Sequence, residues 1–393
     1  MSDLANSDIA EPDQPPAGWP APRSAYIHVP FCRHRCGYCN FSVVAQRDDL
    51  IQQYLESINA ELAGLGRPEV DTVFIGGGTP THLATPQLQR LMQIVEHRFA
   101  IQPNVEWSME ANPEDISAEK LAVMRDSGVN RLSLGVQSFS DGKLQLLERS
   151  HRGIEAEEII QLAAGAIPNI SIDLIFAAPK ETLAEWTEDL QKAFSLPIAH
   201  LSTYALTYEK GTSFWTRARS GNLSAATEQL EVDMYNAARQ AAKQSGWEHY
   251  EISNFAKSES QCRHNLAYWH GRGWYAAGPG AASFVGGHRN VNHRSTTTYL
   301  KRMAAGQDPV AESEAISTVQ YARELAAFGI RMLAGIDVVK LSRETGVDLG
   351  DECRLGIEEA TRHGWLAASD GRMRLTQQGV LFADSVAACF LSD

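Results

Sequence analysis

Six short runs of β-type residues, separated by helical patterns and polar loops, restrict this chain to a small set of folds. The runs are AYIHV (25–29), DTVFIG (71–76), VEWSME (105–110), RLSLGV (131–136), ISIDLIF (170–176) and HLSTYAL (200–206). Between them, LIQQYLESINAELAGL (50–65) and PQLQRLMQIVEHRF (86–99) carry apolar residues at helical spacing. TLAEWTEDLQKAF (182–194) opens with Thr182 and Glu185 at the spacing of a capping box. Gly128 follows LAVMRDS where a helix stop belongs. Successive βα units need right-handed crossovers between parallel strands, so the sequence predicts an α/β fold whose sheet is closed or partly closed as a barrel. No sequence repeat accompanies the alternation.

In such a fold the chemistry collects on the loops after the strands' C-terminal ends. Polar groups do gather there. A cysteine-rich loop follows the first strand, and GGGTPT (76–81) follows the second, where consecutive glycines let the backbone approach a ligand closely. Glu110 ends the third strand and Gln137 the fourth, while Asp173 and Tyr204 lie within the fifth and sixth.

The cysteine loop reads FCRHRCGYCN, with Cys32, Cys36 and Cys39 in a C-x3-C-x2-C arrangement. Three thiolates so placed have two chemical readings. One is a zinc site completed by His28 or His34. The other is a cubane iron–sulfur cluster with one iron lacking a protein ligand. No second cysteine pair accompanies the first, and Cys262, Cys353 and Cys389 are isolated, which favours the cluster.

Composition narrows the setting. The chain has 393 residues and a net charge of −13, which argues against a general nucleic-acid binder. Residues 1–24 are rich in proline and lack a basic segment followed by an apolar one, so they read as a disordered leader and not as a signal peptide. Few cysteines and no membrane-length apolar run predict a cytoplasmic protein with reduced thiols. From about residue 310 three helical patterns, 319–336, VVKLSRETG and CRLGIEEATRHGWL, precede a hairpin with a Ser-Asp-Gly turn, the outline of a small winged-helix-like domain. Residues 310–393 carry 8 Lys and Arg against 13 Asp and Glu, a balance that repels phosphate. The predicted organisation is thus a leader (1–24), a barrel core (25–250), an intervening segment (251–309) and the C-terminal domain (310–393).

YIHVPFCRHRCGYCNF together with GGGTP resembles the signature of the radical S-adenosylmethionine superfamily. The resemblance implies a partial (β/α)6 TIM-like barrel, and a [4Fe–4S] cluster on Cys32, Cys36 and Cys39 whose open iron is chelated by S-adenosylmethionine. It also implies cofactor contacts. Tyr26 and Tyr38 would flank the cluster loop, with Tyr38 on the adenine, and Gly77, Gly78 and Thr79 would offer backbone donors. Glu110 and Gln137 would hydrogen-bond the cofactor, Arg149 would meet its carboxylate, and Asp173 would face the ribose or sulfonium.

YIHVPFC, GGGTPTHL, EANPE, RLSLGVQSF, IDLIFAAP, YEISNFA and RHNLAYW are further similar to the coproporphyrinogen-dehydrogenase-like group, from about Tyr26 to the C-terminus. That group contains a radical dehydrogenase of haem synthesis and a HemW-type class of haem chaperones. The dehydrogenase signature continues to another cysteine, where this chain has Phe41 after Asn40. HNLAYW (264–269) resembles the chaperone class, where the element is associated with haem binding, and makes His264 the candidate haem ligand. His249, His270, His288, His293 and Cys262 are the substitutes. The sequence departs from the group at Ala177-Ala178, where Gly-Leu is usual, and at Ala282, where the chaperone class commonly has histidine. The expectation is therefore a haem chaperone, with the dehydrogenase as alternative. Its partners would be haem and an acceptor protein through which it contacts a membrane, and it would act as a monomer or homodimer without nucleic acid.

Overall fold

A computed structural model describes residues 14–369 and 371–391. The six predicted strands are present as β1 (Ser24–Val29), β2 (Glu69–Gly77), β3 (Ala100–Ala111), β4 (Arg131–Gln137), β5 (Asn169–Phe176) and β6 (His200–Ala205). They pair in parallel in chain order. The intervening helices include Ile51–Ala63, Thr85–Arg98 and Ala118–Asp126, the last followed by Gly128 at φ +95°. Helix Leu183–Ser195 has the capping box read from sequence: Thr182 Oγ1 accepts from the Glu185 N–H at 3.2 Å, and the Thr182 N–H donates to Glu185 at 2.8 Å.

The sheet continues beyond the predicted units. Strands β7 (Glu248–Glu251), β8 (Asn254–Ala256), β9 (Trp274–Ala277), β10 (Ala282–Val285), β11 (His288–Asn292) and β12 (Val310–Ala315) extend it to twelve, in the order β12-β11-β10-β9-β1-β2-β3-β4-β5-β6-β8-β7. The order is linear, so the barrel is partial and stays open. Strand β12, assigned by sequence to the C-terminal domain, pairs with β11 and belongs to this sheet.

Alternation along the core strands divides the barrel into two environments. Ala25, Ile27, Val73, Ile75, Met109, Leu132, Leu134, Ile170, Ile172 and Leu201 are buried in one core with helix residues such as Tyr54, Leu91, Met124 and Trp186. The alternate residues face inward and are mostly polar: Tyr26 and His28 on β1, Thr72 on β2, Glu106 and Glu110 on β3, Arg131 and Ser133 on β4, Ser171 and Asp173 on β5, and His200 and Ser202 on β6. A parallel sheet covered on both faces by helices would instead read as continuous apolar runs. Here the inner face is built for a polar interior.

The C-terminal module has helices Thr318–Gly329, Val338–Thr345 and Arg354–Arg362 and hairpin Leu366–Ser369/Arg372–Leu375, as predicted, plus a helix Ala383–Leu391 that was not. The first helix stops at Gly329, short of the expected end near Gly335. The chain turns back there, because Ile336 bridges to Met373 of the hairpin and packs on Gly329. The leader also departs from expectation. Residues 1–13 lie outside the described residues, but Trp19 packs against Phe284 and Tyr321, since an indole gains more by covering apolar surface than by facing water.

Candidate functional site

The loop after β1 is closed at its base, where Phe31–Cys32 pairs with Val44–Ala45. Phe31 is buried edge-on against Tyr54, whose hydroxyl donates to the His28 carbonyl at 2.8 Å. Gly37 sits at the loop's far turn, its N–H donating to Glu148 at 2.7 Å and its carbonyl accepting from Phe214 at 2.8 Å. A Cβ there would lie 2.6 Å from the Phe214 ring, so only glycine fits. The loop is thus held to the mouth of the barrel from several sides.

Each cysteine has a defined environment. Cys32 Sγ lies 3.5 Å from Thr79 Oγ1, and Cys36 Sγ lies 3.7 Å from Arg149 Nη1. Burial pushes the Cys32 thiol up to about 12 and raises Cys39, so neither holds a thiolate without a compensating cation. The histidines of the zinc reading do not join the thiols. His28 is engaged at both ring nitrogens, with Tyr26 Oη at 3.0 Å and the Ser42 carbonyl at 2.9 Å, and His34 faces Glu148. Three thiols beside a buried guanidinium whose Nε lacks a partner instead suit an anionic cluster with three protein ligands.

Arg149 sits closer to this loop than its expected role implied. It bonds Asn112 Oδ1 at 2.6 Å and the Gly135 carbonyl at 3.1 Å, and it faces Cys36. Tyr38 packs edge-on against Phe214, with centroids 6.0 Å apart, in an apolar patch with Leu147, Ile175 and Leu206. Gln137 closes β4 with φ +66° and lies beside Asn112 at the Gly135 approach.

The GGGTP segment differs from expectation. The N–H groups of Gly77, Gly78 and Thr79 donate to Glu110 at 2.8 Å, the Val29 carbonyl at 2.8 Å and the Phe31 carbonyl at 2.8 Å. They are engaged within the protein, and only the Gly77–Glu110 bond ends on a side chain able to swing away. Gly77 has φ +108°, and a Cβ would meet the His28 ring at 2.4 Å. The segment therefore serves as a tight floor under the cysteine loop.

Below it lies the lumen. Asp173 accepts from Ser133 Oγ at 3.2 Å, and Glu110 accepts from Gly77. Burial raises Glu110 to about 7 and Asp173 to about 6, and for Glu110 the nearby Asp173 adds to the rise. Tyr204 keeps 46% of its surface while protein charges from β3 and β5 surround it, the mark of a side chain lining an internal space. Tyr26 lines the same space and is linked through His28 to the Ser42 carbonyl of the cysteine loop.

His264 lies at the opposite, N-terminal end of the strands. It is 1% exposed, with Nδ1 2.8 Å from Thr72 Oγ1 and Nε2 2.8 Å from Tyr268 Oη. Its ring stacks near Phe74 at 5.1 Å, and burial lowers it to about 3. Both nitrogens are occupied, so coordination of haem iron would require the ring to leave this seat. Sequence reasoning did not single out the residues that build it. Glu106 accepts the N–H groups of Arg263 at 3.0 Å and His264 at 2.9 Å, placing a carboxylate at the start of helix Arg263–Trp269. Arg131 pairs with Glu106 at 3.3 Å, and His200 bridges Ser171 and Tyr250 at 2.8 Å each. The signal was the polar alternation of Glu106, Ser108 and Glu110 in VEWSME and of His200, Ser202 and Tyr204 in HLSTYAL.

A six-strand parallel core, a three-cysteine loop after its first strand and a polar lumen define a radical S-adenosylmethionine protein. The Radical SAM superfamily model matches residues 26–193, and the HemN C-terminal domain model matches residues 316–382. Within that class the chain belongs to the HemW family. It is 33% identical over 377 residues to the heme chaperone HemW of Bacillus subtilis, covering 94% of this chain and 100% of that one. The heme chaperone HemW of Escherichia coli is 32% identical, covering 95% and 99%. The mitochondrial radical S-adenosyl methionine domain-containing protein 1 of Bos taurus is 30% identical, covering 98% and 90%. The fold matches coproporphyrinogen III oxidase (HemN) from Escherichia coli with a TM-score of 0.83 at 22% identity, over 95% of this chain and 91% of that one. The superfamily implies a [4Fe–4S] cluster and S-adenosylmethionine.

Proposed function

We propose that this protein binds haem and passes it to an acceptor protein, with a [4Fe–4S] cluster on Cys32, Cys36 and Cys39 and S-adenosylmethionine in the lumen beside it. The observation that carries this reading is end-to-end similarity to proteins described as heme chaperones. The position of the dehydrogenase's further cysteine supports it: Phe41 is 65% exposed at the loop's rim and offers no ligand.

When bound, the cluster supplies a redox-active iron with an open coordination position. The chain's own residues set its surroundings. Thr79 and Arg149 face two of the cysteine sulfurs, Glu110 and Asp173 place carboxyl groups in the lumen, and Tyr26 and Tyr204 wall it. Glu110 and Asp173 are suited to receive the positive charge of a sulfonium or ammonium group. Helix Arg263–Trp269, with the HNxxYW sequence, is the element whose resemblance to the chaperone class points to haem.

The test compares two incubations of anaerobically reconstituted protein. With haemin, a Soret band of a stoichiometric complex is expected. With coproporphyrinogen III, S-adenosylmethionine and a reductant, no protoporphyrinogen is expected. Robust decarboxylation would replace the chaperone reading with the dehydrogenase one.

A further inference from the structure

The chain between Cys36 and Cys39 is gripped at one residue from both sides. Gly37 donates its N–H to Glu148 Oε2 at 2.7 Å, and its carbonyl accepts from the Phe214 N–H at 2.8 Å. The two partners are themselves joined. Phe214 lies in helix Ser213–Arg219, and Arg217 of that helix reaches Glu148 Oε1 at 3.4 Å, with its guanidinium 5.1 Å from the Phe214 ring. His34, between Cys32 and Cys36, stands 3.6 Å from Glu148 Oε2. One carboxylate thus gathers the turn of the loop, a loop histidine and the neighbouring helix.

Glu148 does this from a backbone conformation that suits another residue. Helix Asp141–Leu146 ends in a turn where the Arg149 N–H donates to the Leu144 carbonyl at 2.9 Å and the Glu148 N–H to the Gln145 carbonyl at 3.1 Å. Glu148 sits there at φ +58°, a left-handed position after a helix that glycine ordinarily fills. A strained non-glycine residue at such a place points to a function for its side chain. The turn also aims two opposite charges at the cysteine loop from adjacent residues. Glu148 meets the Gly37 N–H, and Arg149 Nη1 lies 3.7 Å from Cys36 Sγ. The Glu148 carbonyl itself lies 3.9 Å from the same sulfur.

Both features of Glu148 bear on an iron–sulfur cluster held by this loop. Cluster potential follows the net charge around the cluster and the hydrogen bonds that its sulfurs receive. Reduction adds negative charge to a group already bound by three thiolates, and a carboxylate bonded to the residue after Cys36 opposes that addition. Glu148 also takes the Gly37 N–H for itself, a donor that on a cluster sulfur would favour the reduced state. Arg149, Arg217 and His34 offset part of the charge, and the remainder works in the same direction as the captured N–H.

We propose that Glu148 is a positioning residue of the cysteine loop, which fixes its turn through the Gly37 N–H and holds the bound cluster at low potential. The inference rests on the cluster reading above and adds the residue that tunes it.

The test uses the full chain with two substitutions. Glu148→Gln keeps an acceptor for Gly37 and loses the charge, while Glu148→Gly suits the left-handed backbone and loses both. In anaerobically reconstituted protein of equal iron content, the cluster midpoint of Glu148→Gln should lie above that of wild type by about 59 mV, a tenfold change in the ratio of reduced to oxidised cluster. The midpoint of Glu148→Gly should lie higher still. A midpoint that stays at the wild-type value in Glu148→Gln would overturn the proposal. The second readout needs no cluster. Amide exchange at Gly37 in cluster-free protein should quicken by at least about tenfold in Glu148→Gly and keep its wild-type rate in Glu148→Gln. Unchanged protection in the glycine variant would also overturn the proposal. Wild-type protein that takes up no iron overturns the cluster reading and this proposal with it, an outcome distinct from an unmoved midpoint.

Discussion

At the scale of single residues, the cysteines are the most legible part of the site: their C-x3-C-x2-C spacing leaves a zinc and a cluster reading open, and GGGTP after the next strand selects the cluster by resemblance. Replacing Cys32, Cys36 or Cys39 by Ala should abolish the visible absorption of anaerobically reconstituted protein, since no other thiol stands near the loop. The same change at Cys262 or Cys353, both buried far along the chain, should leave the spectrum intact. Glu110 tests the lumen. Its folded pKa of about 7 lies above the ordinary glutamate value of 4.5, so between those two values the folded state binds more protons than the unfolded state. Stability therefore falls as pH rises from about 4.5 to 7, by on the order of 2–3 kcal/mol from this group. The Tm of Glu110→Gln, measured over that window, should fall less steeply than that of wild type. A cationic ligand should reverse the effect and expel a proton, seen by calorimetry at pH 6.5 as a heat that depends on the buffer. The carboxyl positions were legible in sequence, but their bonding was not. That Glu110 accepts the Gly77 N–H, and that Arg149 faces Cys36, depends on the register of β2 against β3 and on the approach of the 146–150 turn.

At the scale of elements, legibility followed periodicity. All six core strands were readable because each pairs an apolar outer face with a polar inner one between strong helix signals. Strands β7 to β12 have three to six residues each, and their pairing is set by neighbours distant in sequence. The overrun of the 318–329 helix has the same origin: RMLAGI continues the apolar pattern, but Ile336 is claimed by the hairpin. Helix Arg263–Trp269 shows what an element can hide. Its motif suggested a ligand, whereas its first turn is tied by Glu106 into the barrel floor. His264→Ala should strand the hydroxyls of Thr72 and Tyr268 and open a cavity, costing about 2–4 kcal/mol in denaturant unfolding. Its Soret band in the haem complex then separates two roles. An unaltered band with lowered stability means that His264 is a floor residue, while a shifted or lost band means that the ring leaves its seat to meet iron. His288→Ala, at the start of β11 between β10 and β12, should change neither.

At the scale of the whole molecule, the barrel separates the cysteine loop from the HNxxYW helix. The cysteine loop sits beyond the C-terminal end of β1, and the HNxxYW helix lies under the N-terminal end of β2, touching Thr72. Thr72 and Gly77 are five residues apart on one strand, roughly 17 Å at the rise of an extended chain. The module of residues 316–391 packs on the second end, through Tyr321 against the Gly271 carbonyl and Leu325 against the Gly271 turn. Coupling between sites needs an element with two arrangements that both ligands bias. The strands between these ends are held by parallel pairing that runs unbroken along β2 from Thr72 to Ile75 and by a buried polar floor, a single rigid arrangement. Haem and S-adenosylmethionine should therefore bind independently. Saturating haem should change the S-adenosylmethionine Kd by less than about twofold, and by reciprocity the converse should hold. The Cys32→Ala protein, lacking its cluster, should retain wild-type haem affinity. A tenfold change in either direction would mean that the floor network around Glu106, Arg131 and His264 rearranges on binding. That rearrangement should then appear as lost amide protection at Arg263 and His264, the two N–H groups that Glu106 holds.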